Sequence, residues 1–471
     1  MLDIETKKKI YFIGIGGIGM SGIAEVLHEM GFIVSGSDIN KNHNTMRLEK
    51  IGIEIKIGHK KSNIKSIDLI IISSAIKKNN EELKESKTKG IPILTRAKML
   101  AELMRLKYAI TVAGSHGKTT TTSLVASIME QAKLDPTVIN GGIINKYNTN
   151  AKLGKGKWIV AEADESDGSF TFLPSTICLI NNIDPEHLDF YKSFNNLKEA
   201  FIQYGKKIPF YGFISLCIDE KSVKELIPHF MEQKIITYGL SKNANITARN
   251  ISFIHKRDIF YTKFDAIINL EKKIIIKNIR APILGEHNLK NILGAISITI
   301  NLKIEGKIIK KALEKFRGVK RRFTLIYNKQ NIKVFDDYAH HPKEILVTLN
   351  TLKKVTKGKV ITIFQPHRFS RTRELFDEFI KSFHFTDKLF ISPVYSAGEK
   401  EIKNFNHHSL VKNINKYKIT DSFSCALDES LFIKIFKLLK PKDNVIFLGA
   451  GSITNYAHEF SKYLKKNARY N

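Results

Sequence analysis

Cysteine is scarce in this sequence, long apolar runs are missing, and acidic residues are too few to balance the basic ones. Each shortage excludes something. The three cysteines, Cys178, Cys217 and Cys425, are odd in number and far apart. They match neither zinc-ligand spacing nor a disulfide framework, so a reducing, cytoplasmic setting is expected. No apolar run approaches the roughly 20 residues of a membrane span. The one stretch resembling a leader, Lys7 to Lys9 followed by residues 10–23, holds glycines at 14, 16, 17, 19 and 22. Such a stretch makes a poor membrane helix, and no convincing cleavage site follows it. Asp and Glu number 46 against 76 Lys and Arg, a formal charge of +30. That excess invites a polyanion. The lysines are spread evenly among abundant Ile and Asn, however, with no arginine-rich helix or basic tail. A compositional bias explains them, so no nucleic-acid partner is expected. Small anionic substrates suit the same charge.

What is present begins with a turn. Residues 108–112 form a short β-branched apolar run suited to a buried strand, and residues 123–129 carry helical apolar spacing. Between them stand Gly114, Ser115, His116, Gly117, Lys118, Thr119, Thr120 and Thr121. A strand, a glycine turn and a helix N-terminus together make an anion site, with free backbone N–H groups and the positive dipole end facing a phosphate. Lys118 would reach the β- and γ-phosphates and the Thr119 hydroxyl would sit on Mg²⁺. Val112 stands where the full phosphate-loop pattern has its first glycine, so only the shorter Gly-x2-Gly-Lys-Thr core is present. An ordinary turn with a chance lysine is the plain alternative; the flanks and the threonine run favour nucleotide phosphate.

At 471 residues the chain exceeds one core, and two to four domains are expected. Residues 10–38 predict strand, glycine turn, helix and strand, with Gly14, Gly16, Gly17 and Gly19 in the turn. Asp38 lies where the acidic residue of a dinucleotide-binding unit meets a ribose. Taken alone, this pattern also fits an NAD-dependent oxidoreductase. Residues 68–72 and 91–96 predict further strands, placing Asp38, Ser73 and Arg96 at strand ends, where parallel sheets bind ligands. Residues 157–161 deliver Glu162, Asp164, Glu165 and Asp167, a run able to hold Mg²⁺ or its water. A further strand, 176–180, leads to His187. Residues 245–280 alternate apolar and charged and predict appended antiparallel strands. Residues 284–291 open a helix whose polar side chains, His287 and Asn288 among them, would face a base. Strand-to-turn patterns recur at 333–342, 360–372 and 444–452. The expected architecture is α/β with three domains in series. These are a Rossmann-like domain over 1–105, a central phosphate-loop ATPase-type parallel sheet with appended antiparallel strands over 106–320, and a Rossmann-like domain over 321–471.

In that order, these stretches resemble the Mur ligases, the cytoplasmic ATP-dependent amide-bond ligases of peptidoglycan synthesis, over almost the whole chain. The resemblance implies that Lys118 binds the transferred phosphoryl group, that Thr119 and Glu162 bind one Mg²⁺, and that His187 with Glu162 serves a second. Lys118, Glu162 and His187 would be the catalytic set. ATP would lie on residues 114–120, with Asn288 and His287 recognising adenine and Arg322 and Asp337 reaching the nucleotide from the other side. Gly14, Gly16, Gly17, Gly19, Asp38, His59, Ser73 and Arg96 would hold a UDP-sugar, and Tyr338, His340, His367, Arg368 and Arg371 an amino acid. Within the family, residues 365–368 (Gln-Pro-His-Arg) point to the branch that adds L-alanine to UDP-N-acetylmuramate, rather than the recycling branch that attaches a tripeptide. A monomer or weak homodimer is expected. Departures from the family pattern are Ser115 for threonine, Asn80 for proline, Glu186 for aspartate and Phe369 for tyrosine.

Overall fold

The computed structural model describes residues 8–256 and 259–467. Residues 257 and 258, within the stretch expected to form appended strands, and Lys7 of the leader-like start lie outside the described residues. The chain divides into two compact units. The first comprises residues 1–251, 264–281 and 288–317; the second comprises 252–263, 282–287 and 318–471.

The first sheet contains β1 (Lys9–Ile13), β2 (Ile33–Asp38), β3 (Glu54–Ile57), β4 (Leu69–Ile72) and β5 (Ile93–Thr95), in the order β3-β2-β1-β4-β5. Every pairing is parallel. β1 is apolar and buried except at Lys9, as a strand covered on both faces must be. The chain runs outward one way through β2 and β3, then returns to the other side of β1 for β4. That reversal leaves a crevice at the strand C-termini, where α/β sheets bind ligands. Arg96 does not end a strand. It opens the helix Arg96–Arg105, because the Thr95 hydroxyl accepts from Lys98 N–H and caps it.

The second sheet adds β6 (Tyr108–Ala113), β7 (Thr137–Ile144), β8 (Thr149–Lys152), β9 (Trp158–Glu162), β10 (Ile177–Ile180), β11 (Phe213–Cys217), β12 (Ile235–Tyr238), β13 (Ile246–Lys256), β14 (Ile259–Asn269) and β15 (Lys273–Ala281). Their order is β15-β14-β13-β12-β11-β10-β6-β9-β7-β8. β6 lies between β10 and β9, parallel to both, so the turn beginning at Gly114 leaves the middle of the sheet. Three residues join β14 to β15, too few for a crossover, which makes the pair a hairpin. The antiparallel pairing of β7 and β8 has no clear signal in the sequence. It takes shape against the helix Ile18–Glu29, which rests on both strands. There Arg47 donates to Glu25, to Thr149 Oγ1 at 2.6 Å and to Asn150 Oδ1 at 3.0 Å. A half-buried guanidinium needs such partners, and the contacts tie the helix His43–Lys50 to the β7–β8 pair.

In the second unit, β16 (Thr324–Lys329), β17 (Ile332–Asp337), β18 (Val360–Phe364), β19 (Lys388–Ile391), β20 (Asp421–Ser424) and β21 (Asn444–Leu448) form a sheet ordered β16-β17-β21-β18-β19-β20. Only β16 is antiparallel. Apolar layers cover both faces, with Phe335, Phe364 and Leu448 on one side and Val334, Ile363 and Phe447 on the other. Among the described residues no helix is long and apolar enough to cross a membrane.

Candidate active site

The turn after β6 has the backbone that its glycines permit. Gly114 and Gly117 adopt φ of +126° and +81°, where a side chain is strained. A Cβ at Gly117 would lie 2.4 Å from Asn291 Oδ1. Gly117 is the residue before the helix Lys118–Gln131, so the first N–H groups of that helix face the turn. The loop is braced from the next strand: His116 N–H donates to Asn182 Oδ1 at 2.7 Å, and Ser115 Oγ accepts from Asp184 N–H at 2.9 Å. His116 Nε2 lies 3.2 Å from an Asp184 carboxylate oxygen and 3.6 Å from one of Glu186.

Lys118 is folded over this turn. Its Nζ donates to Gly114 O at 2.6 Å and contacts both Glu165 oxygens, at 2.9 and 2.8 Å. Burial pushes the ammonium toward neutrality, but the carboxylates of Glu165, Asp164 and Glu162 outweigh it and hold Lys118 charged, above the ordinary lysine range. Glu162 ends β9, and its carboxylate occupies the space left by Gly141 on β7, where a Cβ would stand 1.9 Å from Oε2. Asp164 meets Arg96 Nη2 at 3.3 Å. Glu165, Glu186 and His187 each present a ligand atom within 4.8 Å of the others. Carboxylate oxygens with one imidazole suit a divalent cation. Thr119 and Thr120 are buried in the first helical turn. Asn288 Oδ1 accepts from Asn291 Nδ2 at 3.2 Å, in the same helix that brings Asn291 to Gly117.

On the first sheet, the residues expected to hold a UDP-sugar gather at the C-terminal crest. Gly14 N–H and Ile15 N–H both donate to Ser37 O, Gly16 N–H donates to Asp38 Oδ2 at 2.8 Å, and Ser73 N–H donates to Ile13 O. Gly17 precedes the helix Ile18–Glu29. A Cβ at Gly19 would lie 3.0 Å from Arg96 Cδ, so Arg96 spans from this glycine turn to Asp164.

In the second unit, Asp337 ends β17, and Tyr338, His340, His367, Arg368 and Arg371 follow the C-termini of β17 and β18. Asp337 accepts Phe323 N–H at 2.6 Å and Ala339 N–H at 2.7 Å. The guanidinium carbons of Arg321 and Arg322 lie 4.8 and 5.0 Å from the Tyr338 ring centre. Arg368 takes φ +71°, a strained geometry for a side-chain-bearing residue, and its N–H donates to Tyr395 O at 2.8 Å. The His367 ring stacks on Tyr395 at 5.3 Å. Its Nδ1 is buried without a hydrogen-bond partner among the described residues. Burial, then His340, Arg371 and Arg368, push it down to about 4, so the ring is neutral near pH 7. His287 also belongs to this unit, beside Gly285.

Three family models cover the chain: Mur ligase family, catalytic domain over residues 9–108; Mur ligase middle domain over 112–299; and Mur ligase, glutamate ligase domain over 321–451. The chain belongs to the Mur ligase family. It is 51% identical over 464 residues to the UDP-N-acetylmuramate–L-alanine ligase of Rickettsia bellii (strain OSU 85-389), covering 97% of this chain and 96% of the relative. The same enzyme of Rickettsia felis is 49% identical over similar coverage. Among solved structures, the UDP-N-acetylmuramate–alanine ligase of Thermotoga maritima superposes with a TM-score of 0.82 at 28% identity, covering 98% of this chain and 99% of that one. A murein peptide ligase from Psychrobacter arcticus shares the fold, with a TM-score of 0.71 at 22% identity.

The structure also brings in residues outside the expected site set. Glu165 pairs with Lys118, Asn181 and Asn182 brace the turn after β6, Gly141 makes room for Glu162, and Tyr395 backs His367. Glu165 was visible as one of four clustered carboxylates, but its partner lies 47 residues away. Glycine at 141 carried no signal at all.

Burial pushes the Asp337 carboxyl up to about 6, against the lowering by Arg322 and by the N–H groups of Ala339 and Phe323. A carboxyl raised in the folded state stabilises the fold below its unfolded value near 4, and that contribution is lost as pH rises through about 6. The Tm difference between wild type and Asp337→Asn is therefore expected to shift against the wild type between pH 4 and 6, then level off. A difference constant across that window would show that Asp337 titrates normally.

Proposed function

We propose that this Mur ligase joins L-alanine to the carboxylate of UDP-N-acetylmuramate, converting ATP to ADP and phosphate, in the cytoplasm. The observation that carries the reading is a charged Lys118 over a phosphate turn, in a chain half identical along its length to ligases bearing that name. A carboxylate resists attack by an amine because oxide is a poor leaving group. In the proposed route a carboxylate oxygen attacks the γ-phosphorus, the bond to the β–γ bridging oxygen breaks, and ADP leaves. The alanine nitrogen, in neutral form, then attacks the acyl carbon. Phosphate departs with the former carboxylate oxygen, and the nitrogen loses a proton.

Lys118 would neutralise charge on the γ-phosphoryl group as the two anions approach. Mg²⁺ held by Thr119, Glu162 and His187 would add further charge neutralisation at the phosphates. The crest of the first sheet would bind the UDP part through Gly14, Gly16, Gly17, Gly19, Asp38, His59, Ser73 and Arg96. Asn288 and His287 would recognise adenine, with Arg322 and Asp337 also serving the nucleotide. Arg368 and Arg371 would clamp the alanine carboxylate, beside Tyr338, His340 and His367.

Two measurements test the reading. ADP release should require UDP-N-acetylmuramate and L-alanine together; release with a tripeptide in place of L-alanine would reassign the chain to a recycling activity. Sugar nucleotide labelled with ¹⁸O in its carboxylate should pass one label to the released phosphate. Unlabelled phosphate would rule out the acyl phosphate.

A further inference from the structure

Beneath the crest of the first sheet, His59 joins a polar cluster whose other members the proposed chemistry has not used. Glu82, in the helix Glu81–Thr88, has a fully buried side chain. Its Oε1 accepts from Tyr11 OH at 2.9 Å and from Asn63 Nδ2 at 2.6 Å. Its Oε2 accepts from Ser37 Oγ at 2.5 Å and lies 2.9 Å from His59 Nδ1. Ser37 Oγ is also 2.9 Å from that nitrogen. His59 follows β3, and Gly58 N–H donates to Asp38 O, so the ring stands beside Asp38 at the crest.

For an ionised Glu82 and a neutral His59, proton counting permits one arrangement. An ionised carboxylate only accepts, so all four neighbours must donate to Glu82. The Ser37 hydroxyl proton points at Oε2, and a lone pair on His59 Nδ1 would then face two oxygens with no proton between them. Nδ1 must therefore carry hydrogen. In the neutral ring this leaves Nε2 as an acceptor, and no partner for Nε2 occurs among the described residues.

We propose that Glu82 is a positioning residue that fixes the tautomer of His59, so that Nε2 accepts a hydrogen bond from an N–H or O–H donor of the uridine nucleotide. The inference rests on the reading of this crest as the UDP site. Selectivity follows from it: a nucleotide group offering only a lone pair at that point is repelled.

Glu82→Gln keeps the shape and inverts the tautomer. Asn63 Nδ2 is pinned by Gly58 O at 3.2 Å, so the amide oxygen of the glutamine must face Asn63 and Tyr11. Its NH2 then faces Ser37 and His59, so Nδ1 loses its carboxylate acceptor and is expected to accept from the amide or from the Ser37 hydroxyl. The ring hydrogen moves to Nε2, and the acceptor is lost.

The experiment is ¹⁵N NMR of the full-length chain at pH 8, where a free imidazole is neutral, with His59 assigned from a His59→Asn spectrum. Wild type should show Nδ1–H, with the unprotonated Nε2 resonance shifting on addition of UDP. Glu82→Gln should show Nε2–H, with the KM for UDP-N-acetylmuramate raised about tenfold and kcat and the KM for ATP within about twofold. An Nε2–H tautomer in the wild type overturns the proposal without any variant. So does an Nε2 resonance unmoved by saturating UDP, or an unchanged KM once the tautomer has flipped. If wild type binds neither UDP nor UDP-N-acetylmuramate, the UDP reading itself fails, a result independent of the tautomer signal.

Discussion

A Lys118→Ala chain is expected to turn over about 10³-fold more slowly than wild type, or worse, the scale set by removing one preorganised partner of a developing anion. The ammonium touches both oxygens of Glu165 and the Gly114 carbonyl. The same change leaves Glu165 buried opposite no cation, and breaking a buried pair costs about 3–5 kcal/mol. Burial, with Asp164, already pushes the Glu165 carboxyl up while Lys118 opposes it, and the variant removes that opposing charge. A carboxyl raised in this way is tolerated at low pH and destabilises as pH rises through its folded value. The Tm deficit of Lys118→Ala should therefore widen with pH, and Glu165→Gln in the same chain should recover much of it. Turnover should stay lost in both. Wild-type kcat from folded Lys118→Ala would remove Lys118 from the mechanism, and a double variant no more stable than the single one would remove the pairing argument.

Gly141→Ala should lower kcat about 10²-fold, the usual penalty for misplacing a reacting group by about 1 Å. A methyl group there would meet Glu162 Oε2 at 1.9 Å, Cδ at 2.9 Å and Oε1 at 3.3 Å. The obstacle is the end of a flexible side chain, so the strand need not move and the carboxylate swings aside instead. Tm and the binding of UDP-N-acetylmuramate should change little, while the Mg²⁺ concentration needed for half-maximal rate should rise. Normal kcat at ordinary Mg²⁺ would show that Glu162 does not act from this position.

The sequence by itself determined the α/β class, the serial order of strand, glycine turn and helix, and the Mur ligase resemblance. All are local properties: apolar runs of strand length, glycines where φ must be positive, and a lysine and threonines at the start of a helix. Tertiary structure alone decided the pairings between distant residues. Glu165 meets Lys118 across 47 positions and Glu82 meets Tyr11 across 71, and no spacing rule reaches that far. The β7–β8 pair depends on Arg47 and the helix Ile18–Glu29 for its partners, so its own residues carry only half of the instruction. Gly141 is the extreme case, because an absent side chain matters only through the carboxylate that fills its space. A charged or buried polar group must find its partner wherever the fold delivers one, and that delivery is set by the packing of whole sheets and helices rather than by neighbours in sequence.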